Sequence, residues 1–234
     1  MTFHPLSALG ELFFPTRAAC LCCHRMSGIE SDWLCPDCRR RLLSRAHCVH
    51  DRSWPKDGIS KGWFALYYKP PASALVKAMK YAGVYRCAPY LVELMEPVLA
   101  ALSASNYDCI VPVPLHYDRQ WTRSFNQSEI LARLIARRLN LPIRTDLIRC
   151  RNTRKQATLS FEKRKTNLND AFRSKSSFEG LRVLLVDDVL TTGATANACA
   201  QALRKCGASD VQALAVLGSG RYQTRDKIIL RNNR

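Results

Sequence analysis

Residues 181–195 read LRVLLVDDVLTTGAT, and this stretch decides the fold class. The apolar run 181–186 is short and free of glycine and proline, as is typical of a buried central strand in a parallel sheet. Two acidic residues, Asp187 and Asp188, follow it. Residues 194–206 then have the pattern of a helix, which Gly207 can end in a left-handed conformation. The stretch therefore predicts a strand, a polar loop and a helix in direct succession.

The polar loop has the chemistry of a phosphate site. Free N–H groups at a helix start bind anions, and the threonine hydroxyls within 191–195 add donors. Gly193 lacks the Cβ that would keep a phosphate away, and the carboxylates of Asp187 and Asp188 can accept hydrogen bonds from the vicinal diol of a ribose. No Walker motif is present. The alternative interpretation is a strand with ordinary acidic residues at its end and a threonine helix cap.

Strands and helices alternate on both sides of this stretch. The expected strands are 62–68, 107–114 and 211–217, and the expected helices are 73–81, 89–102 and 128–139. This order predicts an α/β fold with a mainly parallel, doubly wound sheet, which binds ligands beyond the carboxyl ends of its strands.

Length and charge limit the organisation and the partners. A chain of 234 residues can form one full core with a small appendage, and we expect an N-terminal segment 1–55, a main domain 56–220 and a basic tail 221–234. The net charge of +17 attracts nucleic acid, phosphorylated ligands or an anionic membrane surface, although a merely soluble basic protein is the alternative. No run reaches the roughly 18 apolar residues of a transmembrane helix.

The eleven cysteines are concentrated in the first fifty residues. A secreted disulfide scaffold would be short, poor in core residues and preceded by a signal peptide, whereas this N-terminus lacks a positively charged leader. We therefore expect a cytoplasmic protein with reduced thiols.

Two of the cysteine pairs have the spacing of a metal site. Cys20 and Cys23, with Cys35 and Cys38, form two C-x2-C knuckles that suit one tetrahedral zinc ion. Four protein ligands leave no open position, so the expected role is structural. The remaining donors stay unassigned, although Cys22 can replace Cys20: they are Cys22, His24, His47, Cys48 and His50.

Three further motifs complete a family pattern. Residues 12–15 read LFFP, residues 111–116 read VPVPLH before the segment RQWTRSFNQ at 119–127, and a basic stretch occupies 151–168. Residues 184–195 resemble the signature of type I phosphoribosyltransferases, and all these motifs in this order resemble the ComF family over nearly the whole chain. The resemblance implies a type I phosphoribosyltransferase-like parallel sheet flanked by helices, with a small N-terminal zinc-finger module built on four cysteines.

The resemblance also implies ligands and site residues. Phosphoribosyl pyrophosphate (PRPP) with Mg²⁺ would bind to Asp187, Asp188, Thr191, Thr192, Gly193, Ala194 and Thr195. The loop after VPVP would bind pyrophosphate, and 151–168 would form a mobile hood. Arg123, Arg154 and Lys155 would then stabilise the departing pyrophosphate.

Two positions depart from the related patterns. Ser124 replaces the usual glycine of the family's Arg-Gly-Phe-Asn-Gln segment, and Thr191 stands where enzymes acting on hypoxanthine or guanine carry a catalytic aspartate. We therefore do not expect a purine-salvage mechanism of that kind.

Three functions follow from the resemblance and the charge. The first is a competence protein that binds PRPP or a related ligand and handles incoming single-stranded DNA at the cytoplasmic side of the inner membrane, with tryptophans available for base stacking. The second is an active phosphoribosyltransferase with an unidentified acceptor. The third is a zinc-stabilised adaptor for a helicase or pore protein of DNA import.

Overall fold

The computed structural model describes residues 19–26, 33–45, 49–53, 58–102, 106–115, 125–150, 171–219 and 225–227. The strands are β1 (Val49–Ser53), β2 (Lys61–Tyr67), β3 (Cys109–Pro112), β4 (Leu147–Arg149), β5 (Phe172–Ser174), β6 (Arg182–Leu190), β7 (Asp210–Gly218) and β8 (Arg225–Lys227). The helices are α1 (Pro36–Leu43), α2 (Ala72–Tyr81), α3 (Ala88–Glu93), α4 (Glu96–Ala101), α5 (Gln127–Leu139) and α6 (Ala194–Lys205), with a 3-10 turn at Tyr85–Cys87.

Six strands form the main sheet in the order β3-β6-β7-β2-β1-β8. The first four are parallel to one another, and at one edge β1 pairs antiparallel with both β2 and β8. The predicted α/β fold with a mainly parallel sheet is confirmed. The expected division of the chain at residues 55 and 220 stays a prediction, although β1 and β8 carry the sheet across both limits.

The central strand β6 is buried on both faces because side chains alternate along a strand. Leu184 and Val186 belong to an apolar cluster with α2, α3, α4 and α5, whereas Val183 and Leu185 belong to a second cluster with α6, β4 and β5. Burial of each such side chain contributes about 1.5–3 kcal/mol. With both faces covered, a ligand can reach this strand only at its end.

The segment predicted as one helix over 89–102 is two helices. α3 ends at Glu93 and α4 begins at Glu96, with Pro97 in the first turn of α4. Proline has no N–H to donate to the carbonyl of Glu93, so an uninterrupted helix would lose a hydrogen bond at this point. The break leaves two short helices that still pack on the same cluster.

The cysteine-containing N-terminal part shares its core with the main domain. Cys20, Cys35 and Cys38 lie in the same buried cluster as α2–α5, together with Leu34 and Leu42. A guanidinium nitrogen of Arg45 also donates to the carbonyl of Pro70 at 3.3 Å. The cysteine-containing N-terminal part is therefore packed against the main domain and is not a separate unit joined to it only by a linker. Within the described ranges, no helix has the length and apolarity needed to cross a bilayer.

Candidate functional site

The acidic pair lies near the carboxyl end of β6. Asp187 and Asp188 fall within the strand, because β6 continues its pairing with β7 as far as Leu190 opposite Gly218. On its other side, β6 pairs with β3 up to Val186 opposite Pro112. The two carboxylates are thus held where β3 has ended and β6 continues, at the edge where parallel sheets bind ligands.

Asp188 is a buried carboxylate paired with a lysine. Its Oδ1 lies 2.8 Å from Nζ of Lys80, and only 7% of the aspartate side chain and 24% of the lysine side chain are exposed. Lys80 lies in the last turn of α2, a helix far from β6 in the sequence. A buried charge needs a partner of opposite sign, and here α2 supplies it.

Asp187 has different partners. The Ser128 hydroxyl donates to Asp187 Oδ1 at 2.9 Å, and the backbone N–H of Asp188 donates to the same oxygen at 2.9 Å. Burial, together with the negative charge of Asp188, nevertheless raises the pKa of Asp187 above its ordinary value. Ionisation of this carboxyl is therefore opposed unless a further cation or donor approaches it.

Asn126 and Gln127 orient the start of α5 towards the acidic pair. Asn126 caps the helix by accepting from the N–H of Ser128 at 3.1 Å, and its amide nitrogen donates to the carbonyl of Val113 at 3.1 Å. Gln127 is 1% exposed, and its Nε2 has no acceptor among the described residues. These contacts hold Ser128 beside Asp187, and Gln127 contributes one buried amide donor that the described part of the chain leaves unsatisfied.

Residues 191–193 connect β6 to α6. Gly193 has φ 77° and precedes the first turn of α6, a left-handed conformation that costs other residues free energy. The N–H of Ala194 donates to Oγ1 of Thr192 at 3.3 Å, and that of Asn197 donates to the Gly193 carbonyl at 2.7 Å. Thr191, Thr192 and Ala194 are exposed. An anion can therefore approach the start of α6 directly.

A pocket of about 450 Å³ joins these elements. Its lining residues are Tyr68, Lys80, Val113, Pro114, Leu115, Gln127, Ser128, Arg149, Asp187, Asp188, Val189, Thr191 and Thr195. A second pocket of about 310 Å³ shares Pro114, Leu115 and Arg149 with it. Both volumes fall in the range of small-molecule sites.

The structure brings four of the seven predicted ligand residues together at the larger pocket. Asp187, Asp188, Thr191 and Thr195 line one pocket, and Thr192, Gly193 and Ala194 are not part of its wall. The other predicted residues, Arg123, Ser124, Arg154 and Lys155, lie outside the described residues. Arg149, which the sequence did not single out, lies in both pocket walls and is the last residue of β4. Its strand leads into the basic stretch 151–168.

Lys80 and Ser128 are the other site residues that the sequence analysis missed. Ser128 appeared only as the start of a helix, although it directly follows the quoted motif. Lys80 carried no distinguishing signal, because Lys77 on the same helix is the same residue type and is exposed. Only the packing of α2 beside β6 separates the two lysines.

The four predicted metal ligands also meet. The Sγ atoms of Cys20, Cys23, Cys35 and Cys38 all lie within 4.8 Å of one another. Sγ of Cys23 and Sγ of Cys35 are 3.6 Å apart, close to the roughly 3.8 Å edge of a tetrahedron with 2.3 Å zinc–sulfur bonds. The four-thiol cluster can therefore hold zinc. It includes neither Cys22 nor His24; His47 and Cys48 lie outside the described residues, as does the side chain of His50.

The electrostatics of the cluster favour a cation. Burial opposes ionisation of Cys20, but backbone N–H groups, chiefly those of Cys23 and Cys35, outweigh it and lower the pKa of this thiol to about 6. Burial and the neighbouring thiols instead raise the pKa of Cys38. The Cys20 thiolate forms readily, whereas Cys23 and Cys38, whose pKa values are raised, resist further negative charge, a conflict that a divalent metal removes.

Comparisons with known proteins agree with this architecture. A family described as Phosphoribosyl transferase domain matches residues 126–231. Competence protein F of Haemophilus influenzae is 30% identical over 219 residues, 82% of this chain and 93% of the relative. DNA utilization protein YhgH of Salmonella typhi is 40% identical over 150 residues, 62% of this chain and 66% of that protein.

A solved structure gives a weaker similarity. The purine phosphoribosyltransferase of Pyrococcus horikoshii superimposes with a TM-score of 0.35 and 16% identity, over 56% of this chain and 70% of that chain. The assignment therefore rests on the sequence relatives, the first of which matches this chain over most of both lengths. On that basis the chain belongs to the ComF family and contains a phosphoribosyl transferase domain.

Proposed function

We propose that this protein is a competence protein whose pocket binds PRPP or a related phosphoribosyl ligand together with Mg²⁺. One observation carries the proposal: the acidic pair of β6 and the start of α6 line the same 450 Å³ pocket. Carboxylates that can accept hydrogen bonds from a diol and N–H groups that can donate to a phosphate lie around one small volume. These two sets of groups match the two ends of a ribose 5-phosphate.

The ligand would bind in a defined orientation. Its ribose hydroxyls would donate to Asp187 and Asp188, and its 5-phosphate would accept from N–H groups of Gly193 to Thr195 at the positive end of α6. The pyrophosphate would then lie towards the 114–115 loop and Arg149, with Arg123, Arg154 and Lys155 as further cations. The carboxylate oxygens are hard donors that suit Mg²⁺, which would neutralise the pyrophosphate charge.

The same protein would handle single-stranded DNA during natural transformation. The net charge of +17 favours polyanions, and relatives carry the names competence protein and DNA utilization protein. Trp33 and Trp63 are half-buried against the core, whereas Tyr68, Tyr81 and Tyr85 are exposed. We therefore expect bases to stack on these tyrosines more than on the two described tryptophans.

Calorimetric titration of PRPP in Mg²⁺ tests the ligand. Asp187→Ala combined with Asp188→Ala should weaken binding by at least about 100-fold, since two charged hydrogen-bond acceptors are lost. Asp210→Ala is the matched control, because Asp210 begins β7 at the opposite end of the sheet and pairs with Arg204. Unchanged affinity in the double variant would contradict the proposal.

Phosphoribosyl transfer is a second candidate function, favoured by the adjoining 310 Å³ pocket that shares Arg149. An acceptor placed there would lie beside the ribose, and turnover would release pyrophosphate. A coupled pyrophosphate assay with candidate nucleobases and nucleic acids tests this activity. PRPP binding without release would indicate a ligand-binding protein, and salt-sensitive DNA binding would separate DNA handling from a purely adaptor role.

A further inference from the structure

The Lys80–Asp188 pair lies where a metal-bound ligand would have to bind. Both side chains line the 450 Å³ pocket, and Nζ lies 2.8 Å from Oδ1. Lys80 lies outside residues 126–231, which match the phosphoribosyl transferase domain. The pocket therefore receives a positive charge from a part of the chain that the domain match does not include.

An ammonium group and a divalent cation cannot both bind the same face of this carboxylate. Mg²⁺ approaches a carboxylate oxygen to about 2.0–2.1 Å, and the low dielectric around a side chain that is 7% exposed strengthens repulsion between two cations. A free metal ion would have to displace the lysine and leave its charge without a partner. A metal ion that arrives with an anionic ligand supplies a new partner for the lysine in the same pocket.

We propose that Lys80 is the resident cation of this site: it neutralises Asp188 in the ligand-free protein, excludes free divalent cations, and yields its place only to a cation that arrives with a phosphate-bearing ligand. This inference rests on the proposed ligand binding. The ligand's phosphates then become the counter-charge of the released ammonium group. Lys80 thereby makes metal binding conditional on the ligand.

The alternative role for Lys80 is a structural tie between α2 and β6. Lys80 lies in the last turn of α2, where the helix dipole also favours a cation. A tie and a resident cation differ in one measurable property, the affinity of the site for a metal ion in the absence of ligand. Loss of a tie leaves that affinity unchanged or lower, whereas loss of a resident cation raises it.

Mn²⁺ alone is the probe, titrated into the full-length protein and followed by the paramagnetic resonance signal of the free ion. Lys80→Met keeps the length of the aliphatic stem and removes the charge, and it should tighten Mn²⁺ binding by about tenfold or more. Lys80→Arg keeps the charge and should bind Mn²⁺ as weakly as the wild type. Lys77→Met, on the same helix but exposed, is the matched control and should also behave as the wild type.

A second substitution locates the metal. Adding Asp188→Asn to Lys80→Met should abolish the gain, since a neutral amide then replaces the freed carboxylate. In the wild type, PRPP should strengthen Mn²⁺ binding strongly, and in Lys80→Met the same addition should strengthen it much less. Lys80→Gln repeats the series if methionine at this position impairs folding, as judged by circular dichroism.

The outcomes separate the inference from the proposed function. If folded Lys80→Met and Lys80→Gln bind Mn²⁺ no more tightly than the wild type, the resident-cation role is wrong, even where PRPP still binds. If the wild type does not bind PRPP, the proposed function fails, and with it the ligand-conditional part of this inference. Tighter Mn²⁺ binding that Asp188→Asn reverses would then still identify Lys80 as the counter-ion of Asp188.

Discussion

The acidic pair and the four-thiol cluster are two solutions to one electrostatic problem. Each brings together groups that repel one another when ionised: Asp187 and Asp188 at the end of β6, and four cysteine thiols near α1. In both places burial raises the pKa of at least one member, Asp187 in the pair and Cys38 in the cluster. Each therefore needs positive charge from elsewhere.

The two sites differ in where that charge comes from and in what they face. Asp188 has Lys80 as an internal counter-ion, and the pair opens onto a 450 Å³ pocket. The thiols face one another, within 4.8 Å, and leave no position for an exchangeable ligand. The difference indicates an exchangeable ligand at the pair and a permanent ion at the cluster.

Removal of one thiol should have the largest effect. Cys35→Ser leaves three ligands, and we expect it to lose its zinc and to lower the free energy of unfolding by more than about 4 kcal/mol, since metal loss also disturbs the shared core. Zinc content by atomic absorption and urea unfolding measure the two effects. Cys22→Ser is the matched control, because Cys22 is not among the four clustered thiols. Equal zinc content in both variants would exclude Cys35 as a ligand.

Substitution of two glycines that have the same backbone conformation can distinguish an effect on ligand binding from an effect on stability. Gly193 at the phosphate loop has φ 77°, and Gly180 before β6 has φ 69°. Alanine at either position should cost about 1–2 kcal/mol of stability, because both would force a side chain into the left-handed region. Only Gly193→Ala should also weaken PRPP binding in calorimetry. Equal ligand affinity in the two variants would remove the loop from the proposed site.

The pH dependence of Asp187→Asn gives the smallest expected effect. A carboxyl whose pKa is raised in the folded protein destabilises the fold once pH exceeds its unfolded pKa of about 3.9, and this cost is complete only above the folded pKa. Asparagine keeps an acceptor for Ser128 without the charge. The variant should therefore exceed the wild type in stability by about 1 kcal/mol at pH 8 and by less at pH 5.

Urea unfolding of both proteins at the two pH values measures this difference. Protons compete with zinc for the four cysteine thiols, so the stability of both proteins changes with pH for this reason as well. Comparing the variant with the wild type at the same pH removes this shared contribution. A variant less stable than the wild type at pH 8 would show that the bond from Ser128 to the ionised carboxylate outweighs burial and the charge of Asp188.

The sequence predicted those parts of the molecule that local pattern determines. Three features are determined by residues that lie next to one another in the sequence: the apolar run before Asp187, the glycine at position 193 and the two cysteine knuckles. The break in the helix predicted over 89–102 also has a local cause, Pro97, and a prediction that took this proline as a helix start would have included the break. Lys80 was not predictable in this way, because its role depends on how α2 packs beside a strand about a hundred residues later.

The strand order of the sheet determines when each pair of strands can form as the chain is synthesised. Lys61 of β2 pairs with Gln212 of β7. A ribosome that adds about 5–20 residues per second completes β7 roughly 8–30 s after β2, and β2 cannot form this pairing before then. The four thiols, complete by Cys38, can gather around a metal long before that. Such non-local pairing slows folding. The nascent chain thus carries β2 paired with β1 on one edge and open on the other through most of its translation, and this open edge is exposed to chaperones and to aggregation until β7 is made.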